Sequence, residues 1–62
     1  VTPRDQLELA RLLGKLLNVA HKREQPGVFT HTWKLLYFLG AKVHYTGEDF
    51  ITVTSSGTVK AP

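Results

Sequence analysis

Four cations at helical spacing are the residues in this chain whose types and intervals point to chemistry. They are Arg4, Arg11, Lys15 and Lys22, with Glu8 and Asn18 completing the row at intervals of four, three, four, three and four. Such steps keep side chains on one face of a 3.6-residue helix. The chemistry is charge-assisted contact with phosphate: cations one turn apart can follow a phosphate backbone, with an affinity that falls as salt rises. Readout of sequence asks for Asn, Gln or Arg aimed at a base edge, and Asn18, flanked by Arg11, Lys15 and Lys22, is the candidate. A plainer reading competes with this one. The row is then a solvated helix face, with Arg4 and Glu8 as a local ion pair worth a few tenths of a kcal/mol.

The row needs a rigid helix beneath it, and the local sequence supplies one. Thr2 can cap, Pro3 suits the first helical position, and Asp5 sits where a capping-box acid would reach back. From Leu7 to Ala20 the apolar residues cover about half the circumference, wider than the roughly 100° stripe of an ordinary surface helix. Cationic Lys22 and Arg23 suit the end of the helix dipole, and Pro26-Gly27 breaks the pattern. Helix 1 is therefore expected over about 3–24.

Residues 28–39 read as a second helix over about 29–39, starting near Thr30 and stopping at Gly40, although Trp33, Tyr37 and Phe38 would equally suit a buried strand. From Lys42 the period changes to two. Lys42 to Thr46 and Phe50 to Thr54, joined through Gly47-Glu48-Asp49, predict a β-hairpin over about 42–54. Residues 55–62 are small and polar and are expected to form a flexible tail. The expected fold is one small α+β domain over 1–62, α-α-β-β, with the hairpin lying against the helices because two strands alone are marginal.

A chain of 62 residues buries only about 60% of its unfolded surface, and without cysteine it has no disulfide or thiolate-zinc staple. Its surplus apolar surface predicts a homodimer in which helices or sheet edges from two chains complete one core. The longest apolar run, Leu35 to Ala41, is far short of the roughly 20 residues of a membrane span, and no signal peptide is evident. A soluble, intracellular, cytoplasmic protein is the simpler expectation. A formal net charge of +3 fits nucleic acid, an acidic protein or anionic lipid as partner.

A helix pair followed by a hairpin is similar in architecture to a winged helix-turn-helix, in which a recognition helix enters the major groove and the wing touches the backbone. Leu9-Ala10-Arg11-Leu12-Leu13-Gly14 has the Ala and Gly spacing of such a turn. Lys15-Leu16-Leu17 continues the helix instead, and the acidic Glu48-Asp49 tip would be repelled by phosphate. The likeness implies DNA binding and assigns no residue beyond the row.

Other chemistry finds little support. His21, His31 and His44, at intervals of ten and thirteen with no cysteine, do not form a compact ligand set. Glu48 and Asp49 are adjacent in a turn, Thr30, Thr32 and Ser55 have no evident base, and no Gly-rich loop precedes a helix. No enzyme, cofactor or metal is expected. Phe29, Trp33, Tyr37 and Phe38 could stack bases, but large rings in so short a chain are first of all core material, pinning helix 2 to helix 1 and the hairpin.

The leading expectation is a small basic nucleic-acid-binding protein, DNA being favoured over RNA. Arg4, Arg11, Lys15 and Lys22 contact phosphates, Asn18 is the possible base contact, and Lys34 and Lys42 extend the surface. The alternative is a non-catalytic accessory protein that binds and regulates another protein through its apolar helix face or a sheet edge. Peripheral membrane attachment by helix 1 is a third reading, weakened by the lack of Trp or Phe on its apolar side.

Overall fold

In a computed structural model, which describes residues 2–55 and 57–59, two helices lead and an antiparallel sheet follows. The elements are α1 (Pro3–Lys22), α2 (Pro26–Leu39), β1 (Lys42–Tyr45), β2 (Phe50–Thr54) and β3 (Gly57–Val59). The architecture is α+β, with the helix pair and hairpin in their expected order.

α1 begins where its chemistry says it should. The Thr2 hydroxyl accepts the Asp5 N–H at 3.1 Å, and Pro3, whose missing N–H costs nothing there, takes the first helical position. The Arg23 N–H closes the helix onto the Val19 carbonyl at 3.0 Å, and the Glu24 N–H reaches the His21 carbonyl at 3.2 Å. A short turn through Glu24, at φ 52°, then leads into α2. Pro26, expected only to end helix 1, is also the first residue of α2, which therefore starts about three residues earlier than the sequence implied. The same missing N–H that stops one helix opens the next. Gly40, at φ 89°, ends α2, its N–H reaching the Tyr37 carbonyl at 3.0 Å while the Ala41 N–H reaches Leu36 at 2.9 Å. The helical reading of residues 28–39 holds, and the strand alternative falls.

β2 is the middle strand of three. Lys42 pairs with Val53 and Tyr45 with Phe50 on one side, and Thr52 pairs with Val59 and Thr54 with Gly57 on the other. The expected flexible tail is thus partly wrong. Residues 57–59 form β3, with Val59 buried and the Thr54 hydroxyl donating to the Gly57 carbonyl at 3.0 Å. A three-residue strand holding one large apolar side chain is too short to announce itself by periodicity. Residue 56 and residues 60–62 of that tail lie outside the described residues.

Alternation along β2 sends Phe50, Thr52 and Thr54 inward, all buried, while Ile51 and Val53 face outward. α1 lies against β2 and β3, and α2 reaches β1. Between them sit Ala10, Leu17, Leu36, Ala41, Phe50 and Val59, bordered by Leu7, Leu13, Phe29, Leu39 and Val43.

The rings are arranged differently from the sequence reading. Tyr37 and Phe38 are 73% and 75% exposed and pin nothing, and Trp33 is 38% exposed. The ring at the centre is Phe50, with His21, Phe29, Trp33 and Tyr45 centred 5.1, 5.4, 5.7 and 4.8 Å away. α2 presents only one flank to the core, so of four aromatics within ten residues only those on that flank can join it.

One polar group in this interior is poorly served. The Thr52 hydroxyl is buried and has no hydrogen-bond partner among the described residues. Thr52→Val keeps the shape and removes the unsatisfied group, so it is expected to stabilise the chain by about 1 kcal/mol. Urea unfolding checks this, and a lower midpoint would mean that the hydroxyl is satisfied in solution.

Candidate nucleic-acid interface

Three sectors divide the surface of α1. At about 100° per residue, Arg4, Glu8, Arg11, Lys15 and Lys22 fall within roughly 60° of one another. Leu7, Ala10, Gly14 and Leu17 make the side turned to the core, where a Cβ on Gly14 would meet the Thr52 methyl at 3.5 Å. Leu9, Leu12, Leu16 and Val19 form a third sector, and it faces outward, at 43%, 61%, 44% and 45% exposure. The aliphatic half of α1 is therefore not one buried face. Part of it is core and part is open surface.

Arg4, Arg11, Lys15 and Lys22 are all exposed. Arg4 and Lys22 are 18 residues apart, so the row spans about 27 Å at 1.5 Å per residue. The Lys22 ammonium lies 3.2 Å from the Asp49 carboxylate in the β1–β2 turn. Glu8 pairs with Arg11, at 4.0 Å, and not with Arg4 as the sequence suggested. Both partners are more than half exposed, so water screens that contact and Arg11 remains available. Arg4 and Lys15 have no ion-pair partner among the described residues.

Asn18 requires correction. It is 6% exposed, and its amide is fully engaged. The Nδ2 group donates to the carbonyls of Gly14 at 3.1 Å and Phe50 at 3.0 Å, while Oδ1 accepts the Phe50 N–H at 2.7 Å. The side chain acts as a substitute peptide, pairing with both backbone groups of one strand residue. It is not free to read a base. Periodicity counts it in the cationic row, but β2 rises against that edge of α1 and buries it, which one helix's spacing cannot reveal.

The proposed extensions of the row also separate. Lys42 pairs with Val53, an outward-facing position of β2, and so lies on the sheet face away from α1. Lys34 is on α2, beside an open groove lined by Phe29, Thr30, Trp33 and Tyr37. Among the described residues the cationic row is confined to α1.

Groups weighed for other chemistry are scattered or already engaged. His21 packs in the Phe50 ring cluster, His31 is exposed on α2, and His44 sits on β1. Among the described residues no three His, Asp or Glu side chains are gathered as a metal set would require. The Thr32 hydroxyl donates to the Val28 carbonyl at 2.7 Å, and the Ser55 hydroxyl to the Gln6 side-chain oxygen at 3.2 Å. Among the described residues no helix is long and apolar enough to cross a membrane. No family model matches the chain, and neither a curated protein nor a solved structure matches it in the corresponding comparisons.

Proposed function

We propose that this chain is a small basic protein that binds nucleic acid by contacting the phosphate backbone through Arg4, Arg11, Lys15 and Lys22, and that it works as a homodimer. The observation that carries the reading is the exposure of all four cations on one side of a single, well-capped helix. A rigid support places the charges without the ordering cost that a flexible basic tail would add. With the Asn18 amide bonded to Phe50, the contact is to phosphate and discriminates weakly between sequences. Duplex DNA is the favoured ligand.

Titration of labelled duplex DNA, single-stranded DNA and RNA at two salt concentrations tests this. With three to four phosphate contacts per chain, log affinity should fall with log salt at a slope of about −3 for each row engaged, roughly 60-fold per row between 50 and 200 mM. Arg11→Ala/Lys15→Ala should lower the slope by about 2 without altering helix content. No binding at low salt, or binding indifferent to both salt and the substitutions, would overturn the proposal.

A second reading has its own support in the open stripe of Leu9, Leu12, Leu16 and Val19. An accessory protein that binds another protein through this apolar face would use it directly, and such binding would barely respond to salt.

A further inference from the structure

Leu9, Leu12, Leu16 and Val19 recur at intervals of three, four and three, the a/d spacing of a coiled-coil seam. Four residues before and after this seam stand Asp5 and Arg23, both exposed, so the same line begins with an acid and ends with a base. α2 flanks the seam on one side, where the Gln6 amide donates to the Leu39 carbonyl at 3.0 Å, and the cationic row flanks it on the other. On α2, Val28 and Leu35 are each 41% exposed and lie across the buried Thr32–Leu36 strip from Phe29 and Trp33. Four open aliphatic side chains in one line on a single helix differ from the singly scattered apolar exposure of an ordinary monomer, and such contiguous patches often mark an interaction surface.

Charge decides what fits there. Two seams laid parallel would set Asp5 against Asp5 and Arg23 against Arg23. Laid antiparallel about a two-fold axis, they place Leu9 opposite Val19, Leu12 opposite Leu16, and Asp5 opposite Arg23 at both ends. On the flank beside the cationic row, Glu8 then comes opposite Lys22, and only Lys15 meets its own copy, close to the axis. The face is self-complementary in the way an isologous contact requires.

We infer that a second copy of this chain covers the stripe, the two α1 helices packing antiparallel through Leu9, Leu12, Leu16 and Val19. The inference rests on the homodimer reading and specifies its geometry. The cationic rows of both copies then lie along the same side of the helix pair, doubling the charge offered to phosphate on one surface.

Sedimentation at high micromolar concentration, without nucleic acid, is the first test. The unaltered chain should be dimeric. Leu12→Asp, at a position already 61% exposed, should give a monomer with unchanged helix content. Asp5→Arg or Arg23→Asp alone should weaken the dimer about tenfold, and the double exchange should restore it. The chain has no native cysteine, so oxidation of an equimolar mixture of Asp5→Cys and Arg23→Cys chains should give mainly the mixed disulfide dimer. A monomeric parent chain would overturn both the homodimer reading and this geometry. A dimer indifferent to Leu12→Asp would overturn the α1 seam alone, and preferential crosslinking of identical variants would overturn the antiparallel order.

Discussion

Phe50→Ala is expected to leave the chain largely unfolded at room temperature. Phe50 is 8% exposed, and the rings of His21, Phe29, Trp33 and Tyr45 are centred within 6 Å of it, one from α1, two from α2 and one from β1. Its removal takes away the transfer energy of a large side chain and leaves a hole that those rings cannot readily collapse into, because they are held by three different elements. Such truncations cost about 3–5 kcal/mol. At about 0.05–0.15 kcal/mol per residue, the total stability of so short a chain is of the same size. Far-UV circular dichroism and urea unfolding decide the matter, and a variant within 1 kcal/mol of the parent would show that the ring cluster is not the centre of the core.

Asn18→Ala should be almost as damaging, through a different mechanism. The loss is not the side chain itself but the abandonment of the Phe50 N–H and C=O, which the amide satisfies at 2.7 and 3.0 Å. A buried group left without a partner costs about 1–3 kcal/mol, so two such groups imply roughly 2–6 kcal/mol. Asn18→Asp provides a control for this account. Its carboxylate could still accept the Phe50 N–H, but its second oxygen would face the carbonyls of Gly14 and Phe50. Those acceptors raise the pKa of the folded form, so the deficit should be smallest below the ordinary carboxylate range and should grow as pH rises from there through the raised value. If Asn18→Ala unfolds at the parent's urea concentration, the amide does not hold α1 to β2.

Much of the fold was legible because it is written locally. Thr2 and Pro3 start α1, Gly40 stops α2, and the change to period two at Lys42 announces the hairpin, each within a few residues of where it acts. What escaped the sequence depends on partners distant in the chain. Asn18 and Phe50 are separated by 32 positions, and helical periodicity puts Asn18 in the cationic row without revealing that a strand lies against it. β3 depends on the edge that β2 offers, and its own three residues carry little pattern. Size alone favours burial of every aromatic on α2, whereas only one flank of that helix meets the core. For the candidate surface, the type and spacing of Arg4, Arg11, Lys15 and Lys22 could be read directly. Which of them were already paired could not.

The short outer strands of the sheet bear on how the chain avoids polymerising. β1 offers four residues and β3 three, and β1 opens with Lys42. A template of that length presents few free ladder groups, and a charged side chain on it penalises the approach of another sheet. Open-ended growth by strand addition is thereby discouraged. The open aliphatic stripe lies instead on a helix, where the association proposed above, about a two-fold axis, would close on itself and stop.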